Sequence, residues 1–169
     1  MRLFVAVWPS PELTEQVRRI DRPARRGVRW TTPDQWHVTL RFFGAVDDVD
    51  LAKSALGGLG RVGAVTALAG PGAQRLGPSM LCVPVAGLEG LASAVTDATG
   101  GVGQPPADRP FRGHLTLARA AKGIDPRPPT PIAVSARWPV TEITLVASTL
   151  RPSGASYEVI DRYLLAPGP

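Results

Sequence analysis

The sequence of 169 residues has few of the features that mark a secreted, membrane-spanning or cysteine-stabilised protein. Its single cysteine, Cys82, excludes an internal disulfide and a zinc site built on cysteine ligands. No apolar stretch approaches the ~20 residues that a membrane-spanning helix requires. The apolar start of the chain is too short for a signal peptide and ends at Pro9, so it predicts a first strand. We therefore expect a cytoplasmic monomer that does not bind membranes.

Several common catalytic and binding motifs are also missing. The sequence has neither the Gly-x-Ser-x-Gly elbow of serine hydrolases nor a Gly-x-x-x-x-Gly-Lys-Ser/Thr phosphate loop. The glycines at 101–103 do not lie in the strand–loop–helix context of a dinucleotide-binding fingerprint. The acidic run at 47–50 lacks the glycine and terminal glutamate of a calcium loop, and it favours a helix start instead. With these motifs absent, we expect acid–base chemistry on an anion without a metal.

Composition and charge fit a soluble globular protein with an anionic partner. Hydrophobic residues make up 44% of the chain and charged residues 20%, which is typical of a globular chain long enough to bury a core. There are 19 lysines and arginines against 14 acids, so the net charge is +5. This excess favours a nucleic acid or nucleotide as partner, although an arginine-rich composition can equally reflect genome bias.

The two histidines of the chain occur in one repeated pattern, His37-Val38-Thr39-Leu40 and His114-Leu115-Thr116-Leu117. A proline precedes each histidine by four residues, at Pro33 and Pro110. Residues i and i+2 of a strand share a face, so each histidine lies beside its threonine, with the apolar residues opposite. A half-buried structural histidine is the alternative for one copy, but the repetition favours a site.

Two such strands facing one cleft would bring together two imidazoles and two hydroxyls. One imidazole can accept a proton while the other donates one, because histidine titrates near neutrality. The hydroxyls of Thr39 and Thr116 can donate to the non-bridging oxygens of a phosphate. This set of groups would suffice to hydrolyse a strained cyclic phosphodiester, and the spacing alone does not say which histidine is the acid.

Two arginines near the tetrads are candidates for binding the phosphate. Arg41 follows His37 by four residues, and Arg119 follows His114 by five. On a regular strand Arg41 shares the face of its histidine, whereas Arg119 would need a bulge or a strand end to reach the site. Either arginine could instead be an ordinary surface residue.

Aromatic residues and a basic run also lie near the tetrads. Trp30, Phe42 and Phe111 could stack on a base, although each could equally belong to the core. The basic run over residues 22–29 leads to Trp30 and is either a solvated loop or a contact with a phosphate backbone.

Hydrophobic periodicity predicts elements in the order β-α-β-α-β-β-α-β-β-β-β. Strands are expected at 2–7, 37–43, 62–68, 80–85, 112–120, 132–138, 141–150 and 157–165, and helices after Ser10, from Asp47, and over 88–99. The repeated tetrad suggests an internal duplication. We therefore predict an α+β fold with two pseudo-symmetric lobes of antiparallel sheet, helices outside, and a cleft that carries the two His-x-Thr-Leu strands. One bilobal domain would span residues 1–169.

The paired tetrads resemble those of the 2H phosphoesterases. Further stretches are similar to the LigT-like RNA 2′,3′-cyclic phosphodiesterases, also called 2′-5′ RNA ligases, and they lie at 2–7, 36–44, 109–119, 140–148 and 157–160. The resemblance implies a bilobal fold and hydrolysis of an RNA-terminal 2′,3′-cyclic phosphate to a 2′-phosphate, with no metal or other cofactor. It also implies that His37 is the proton donor and His114 the proton acceptor. The expected partners are RNA 3′ ends or nucleotides that carry a 2′,3′-cyclic phosphate.

Two other functions stay open at this point. The chain could be a 2H phosphoesterase that acts on a small cyclic nucleotide or an ADP-ribose cyclic phosphate, or a non-catalytic protein that binds RNA ends. Salt dependence distinguishes a polynucleotide from a mononucleotide substrate, because each phosphate contact releases counterions. A turnover assay distinguishes both enzymes from the binding protein.

Overall fold

The structure, a computed structural model that describes residues 1–168, follows the predicted order of elements and adds two short strands. The strands are β1 (Arg2–Val7), β2 (Val28–Trp30), β3 (Val38–Ala45), β4 (Val65–Ala69), β5 (Gln74–Leu76), β6 (Met80–Ala86), β7 (His114–Ala120), β8 (Ala136–Val140), β9 (Glu142–Arg151) and β10 (Gly154–Leu164). The helices are α1 (Pro11–Arg18), α2 (Val49–Gly57) and α3 (Glu89–Ala98), with 3-10 turns at Pro33–Gln35 and Gly58–Arg61. The predicted α+β class is confirmed. Within residues 1–168, no helix is long and apolar enough to cross a membrane.

The strands form one antiparallel sheet that divides into two halves. Its main path runs β10-β9-β1-β3-β7-β6-β4-β8, while β2 pairs with β7 and β5 with β6 beside this path. The strands β3 and β7 are joined through one residue pair, Val38 with Leu115. The halves β10-β9-β1-β3 and β7-β6-β4-β8 therefore meet along a narrow seam, and the two tetrads lie on either side of it.

Each half contains the same strand–helix–strand unit, with the tetrad at the start of the second strand. The units are β1-α1-β3 and β6-α3-β7. The first strands share an alternating pattern of contacts with the main core, which contains Leu3, Val5 and Val7 of β1 and Leu81, Val83 and Val85 of β6. Phe4 and Ala6 of β1 lie on the opposite face, where they belong to a second buried cluster. The repeat agrees with the duplication that the tetrads suggest.

The helices are exchanged between the halves. Helix α3 belongs to the second unit but packs against β3 of the first. Helix α1 belongs to the first unit, and the side chain of Gln16 exchanges two hydrogen bonds, of 2.7 and 2.9 Å, with the backbone of Ser135 just before β8. Ser10 caps α1 and Asp48 caps α2, each accepting a hydrogen bond from a backbone N–H of the first turn. The acidic run at 47–50 is therefore a helix start, as predicted.

Both tetrad strands carry a β-bulge at the leucine of the tetrad. In the β1–β3 ladder, Ala6 faces Thr39 and Val5 faces Arg41, which leaves Leu40 as the extra residue. In the β6–β7 ladder, Cys82 faces Thr116 and Leu81 faces Ala118, which leaves Leu117 as the extra residue. A bulge reverses the faces of the residues that follow it, and in β3 a second register shift lies between Phe42 and Gly44. Beyond the threonine, the next side chain on the face of the histidine is therefore that of the fifth residue after the histidine rather than the fourth.

The bulge in β3 overturns the prediction that Arg41 binds phosphate. Arg41 is 5% exposed and faces the core instead of the cleft. Its Nη1 donates to the carbonyl of Thr96 (3.2 Å) and to the hydroxyl of Thr99 (2.6 Å). Its Nη2 donates to the carbonyls of Val102 (3.2 Å) and Gln104 (3.3 Å). Arg41 thus caps the C-terminal end of α3, where a cation is favoured by the helix dipole and by the free carbonyls.

This clamp predicts a structural role for Arg41. We expect Arg41→Ala to lower the free energy of unfolding by about 3 kcal/mol, because it leaves several buried acceptors without a donor. Urea denaturation measures the change. The exposed Arg137 on β8 is the matched control, and Arg137→Ala should change stability by less than about 0.5 kcal/mol. A loss in Arg41→Ala as small as that of the control would contradict the assignment.

Candidate active site

A cleft of about 310 Å³ at the seam between the two halves contains all four polar residues of the tetrads. His37 and Thr39 come from the start of β3, and His114 and Thr116 from the start of β7. Other residues that line it are Arg2, Phe4, Arg29, Phe42, Arg119 and Tyr157. The structure thus brings together the two imidazoles and two hydroxyls that the sequence pattern placed on one face of each strand.

The two histidines are held by the same backbone contact. The Nδ1 atom of His37 lies 2.8 Å from the carbonyl of Gln35, and that of His114 lies 2.7 Å from the carbonyl of Arg112. A carbonyl only accepts hydrogen bonds, so Nδ1 carries the proton in both rings. The Nε2 atom of each neutral imidazole is consequently an acceptor. Nε2 of His37 takes a hydrogen bond from the hydroxyl of Thr39 at 3.0 Å.

The surroundings of the two rings differ. His37 lies among three aromatic rings, with centroid distances of 4.9 Å to Phe4, 5.9 Å to Trp8 and 5.0 Å to Tyr157. Burial is the main reason why the pKa of His37 falls from 6.5 to about 4, and the charges of His114 and Arg119 lower the pKa further against the raising effect of the Gln35 carbonyl. His37 is therefore neutral at pH 7.

The second tetrad lacks the aromatic surroundings and the hydroxyl–imidazole hydrogen bond of the first among the described residues. The hydroxyl of Thr116 donates only to the sulfur of Met80, at 3.4 Å. A thioether is a weak acceptor, so this proton is readily given to the oxygen of a ligand. The ring of His114 has no aromatic neighbour like those around His37 among the described residues. The near-symmetric backbone thus carries two half-buried imidazoles, of which the first lies among aromatic rings.

Thr31 connects the two tetrads. Its hydroxyl lies 2.8 Å from the carbonyl of Thr116 and 3.0 Å from that of Leu117, the bulged residue. The same hydroxyl accepts a hydrogen bond from the indole N–H of Trp36, the residue before His37, at 3.1 Å. Bulges leave backbone groups without a ladder partner. In β7, Thr31 provides a hydrogen-bond partner for the carbonyls of Thr116 and Leu117. The sequence analysis did not identify Thr31, because a lone threonine in a turn carries no distinguishing signal.

The bulge in β7 places Arg119 in the cleft. Arg119 is the fifth residue after His114, and the extra residue Leu117 directs it to the face of the histidine. The sequence analysis named a bulge as the condition for this placement. By the same rule the fifth residue after His37 is Phe42, which is 37% exposed and also lines the cleft. The guanidinium of Arg2 lies 5.3 Å from the centre of the Phe42 ring.

The other two proposed stacking residues lie outside the cleft. Trp30 packs against the core, and its indole N–H donates to the carbonyl of Pro23 at 3.3 Å. Phe111 also packs against the core and lines a neighbouring pocket of about 430 Å³ that shares only His114 with the cleft. Neither residue lines this cleft, because each lies near a tetrad in sequence but packs against the core. Base stacking by Trp30 or Phe111 therefore stays a prediction. The aromatic residues that line the cleft are Phe4, Phe42 and Tyr157.

The cleft offers no set of metal ligands among the described residues. Within residues 1–168, no three His, Cys, Asp or Glu side chains come close enough together to hold a metal ion. The groups that the cleft does present are imidazoles, hydroxyls, guanidiniums and aromatic rings. This combination suits an anionic ligand that has an apolar part.

Known proteins share this fold and sequence pattern. A family model described as LigT like phosphoesterase matches residues 7–66. Curated relatives named RNA 2′,3′-cyclic phosphodiesterase are 33% identical in Thermus thermophilus and 31% identical in Escherichia coli. These alignments cover 98% and 97% of this chain and 90% and 96% of the relatives. The crystal structure of E. coli LigT complexed with 3′-AMP has a TM-score of 0.78 at 27% identity, over 97% of each chain.

The α+β fold and the near full-length similarity define an enzyme of the phosphoesterase class. More narrowly, the chain belongs to the LigT-like phosphoesterase family, which confirms the resemblance drawn from the tetrads.

The lowered pKa of His37 predicts a pH-dependent stability. The unfolded chain takes up a proton at this residue near pH 6.5, but the folded chain does so only near pH 4. Stability should therefore fall as the pH drops through this window, by up to about 3 kcal/mol, since a tenfold difference in proton affinity is worth about 1.4 kcal/mol.

Urea denaturation of the wild type and of His37→Gln, at pH 6.5 and pH 4, measures this contribution. Other groups titrate in both proteins, so the difference between the two pH dependences isolates His37. We expect a smaller loss in the variant. The same loss in both proteins would show that burial of His37 does not disfavour its protonation.

Proposed function

We propose that the chain hydrolyses RNA-terminal 2′,3′-cyclic phosphates to 2′-phosphates by acid–base catalysis between His37 and His114. The observation that carries the proposal is the matched orientation of the two imidazoles, each with Nδ1 bound to a backbone carbonyl and Nε2 available to the cleft. The relatives in T. thermophilus and E. coli, named for this activity, support the choice of substrate.

The proposed reaction needs one proton acceptor and one proton donor. Nε2 of His114 accepts a proton from water, and the water oxygen attacks phosphorus. The bond between phosphorus and the 3′ oxygen breaks, and the imidazolium of His37 protonates that oxygen. The product carries a 2′-phosphate and a free 3′-hydroxyl. The two histidines end in exchanged protonation states, and proton exchange with solvent restores the first.

Substrate binding can cause His37 to take up the proton that it needs from solvent. The pKa of about 4 leaves this residue neutral before the anion binds. A phosphate anion about 4 Å from the ring would favour the imidazolium by roughly 4 kcal/mol at an effective dielectric constant of 20, which corresponds to about 3 pH units. The cyclic phosphate would thus raise the pKa of His37 towards neutrality, and binding would take up the proton later given to the 3′ oxygen.

The remaining polar groups of the cleft hold the phosphate. The hydroxyls of Thr39 and Thr116 donate to its non-bridging oxygens, and the guanidinium of Arg119 offsets the charge that develops during attack. Among the described residues, the partners to which these hydroxyls donate are Nε2 of His37 and the Met80 sulfur. Both contacts are readily given up for a charged acceptor.

A short RNA that ends in a 2′,3′-cyclic phosphate tests the reaction directly. We expect conversion to the 2′-phosphate, read by chromatography against 2′- and 3′-phosphate standards. Activity should persist in excess EDTA, because side chains supply every group that the mechanism uses. A 3′-phosphate product, or loss of activity on chelation, would contradict the mechanism. An inert RNA, with a small cyclic nucleotide hydrolysed instead, would assign another substrate.

Substitutions in the tetrads should separate two kinds of contribution. His37→Asn and His114→Asn should each lower kcat by about 100-fold to 10,000-fold, the range for loss of one general acid or base. Thr39→Val and Thr116→Val keep the side-chain shape and remove one hydrogen bond to the anion, worth ~1.5–3 kcal/mol, so kcat/KM should fall by about 10- to 150-fold. Wild-type activity in all four variants would dismiss the site.

A further inference from the structure

Two arginines lie side by side in the wall of the cleft. In the β2–β7 ladder, Arg29 is directly opposite Arg119. Directly opposed residues of an antiparallel pair project from the same face, with Cβ atoms about 5 Å apart. Both side chains line the cleft and are exposed. Like charges in this position destabilise a sheet, so packing gives no reason for the pair.

Neither arginine has an acidic partner within the part of the chain that the structure describes. No carboxylate lies within 4.0 Å of either guanidinium, whereas Arg18, Arg127 and Arg162 each pair with an acid. Neither Arg29 nor Arg119 donates a side-chain hydrogen bond within residues 1–168. Their donors are therefore free for a ligand, and two guanidiniums side by side select a ligand with concentrated negative charge.

The two arginines lie at different positions in the cleft, Arg119 near the histidines and Arg29 near the β9–β10 turn. Arg119 is near the reacting histidines, since its charge is among those that lower the pKa of His37. Arg29 lies on the neighbouring strand β2, about 4.8 Å away in the sheet, and its charge is not among those that lower the pKa of His37. Its guanidinium lies against the β9–β10 turn, where a Cβ atom at Gly154 would come 3.2 Å from Nη1 of Arg29. Both arginines act on the pKa of the Tyr157 hydroxyl, opposing the rise that burial causes.

We propose that Arg29 binds a second phosphate of the substrate, the one on the 5′ oxygen of the terminal nucleoside. In RNA this phosphate is the last internucleotide linkage. The proposal rests on the proposed function, in which Arg119 contacts the reacting phosphate. One nucleoside separates the two phosphates, and the paired arginines offer two cationic positions from the centre of the cleft to its rim. A basic groove that follows the backbone is how proteins hold single-stranded nucleic acid.

A second phosphate site would affect which substrates the enzyme prefers. A nucleoside 2′,3′-cyclic phosphate without a 5′-phosphate can use only the inner position. A 5′-phosphorylated nucleotide or an oligonucleotide uses both, and should therefore be the better substrate. The basic residue at position 29 accordingly contacts the phosphate backbone, which was one of the two interpretations of the run over 22–29.

A comparison of matched substrates tests the outer position. The substrates are adenosine 2′,3′-cyclic phosphate, its 5′-phosphorylated form, and the dinucleotide ApA with a terminal 2′,3′-cyclic phosphate. In Arg29→Gln, we expect the preference for the 5′-phosphorylated substrate, taken as the ratio of kcat/KM values, to fall about tenfold, as for loss of one exposed charge-assisted contact. Arg137→Gln removes an equal charge from β8 and should keep the wild-type ratio.

The outcomes separate the subsite from the reaction. An unchanged ratio in Arg29→Gln, whether activity on both substrates is kept or falls by the same factor, overturns the subsite and leaves the proposed function intact. If the preference for the ApA substrate also falls about tenfold in Arg29→Gln, the natural ligand of Arg29 is the internucleotide linkage. If only the preference for the 5′-phosphorylated mononucleotide falls, the ligand is a free 5′-phosphate.

Binding measurements decide the matter if no substrate turns over, which would refute the proposed function alone. Calorimetry would then compare adenosine 2′-monophosphate with adenosine 2′,5′-bisphosphate. We expect Arg29→Gln to reduce the advantage of the bisphosphate about tenfold. An advantage unchanged by the substitution, or absent in the wild type, would overturn the subsite.

Discussion

The β-bulge at the leucine of each tetrad is the constraint on which both the site and the fold around it depend. Each extra residue turns the following side chains over, so that the cleft receives Phe42 on one strand and Arg119 on the other. On a regular strand Arg41 would enter the cleft, and the end of α3 would lose its buried cation. A bulge re-aims side chains at a small cost in ladder hydrogen bonds, and Thr31 recovers those of β7. The same local deviation thus separates a structural arginine from one that faces the ligand.

The internal duplication makes the backbone around the two histidines nearly symmetric, but the side chains that surround the two rings differ. Both imidazoles are oriented by the carbonyl two residues earlier, which fixes the same tautomer in each. The first half then encloses His37 among aromatic rings, and no such rings surround His114 among the described residues. This enclosure lowers the pKa of His37, so two groups of one chemical type lie in different surroundings. The paired arginines extend the same cleft towards its rim.

Much of this could be predicted from the sequence, and the failures have a common physical origin. The period of two placed each histidine beside its threonine, and caps such as Ser10 and Asp48 marked the helix starts. The bulges could not be foreseen, because an extra leucine in a buried strand has the same composition as a paired one. Arg41 was misassigned for that reason. The strands β2 and β5 have three residues each, too few for a periodic signal, so the position of Arg29 opposite Arg119 became visible only in the sheet.

The most direct test of the account is nuclear magnetic resonance of the two histidines, the only imidazoles in the chain. Nitrogen and proton shifts would be followed from pH 3 to pH 9, with and without adenosine 2′-monophosphate. We expect the Nδ1–H tautomer in both neutral rings and a midpoint for His37 near pH 4 without the nucleotide. The bound nucleotide should raise this midpoint by about 3 pH units. An Nε2–H tautomer in either ring, or a His37 midpoint that the nucleotide leaves unchanged, would contradict the account.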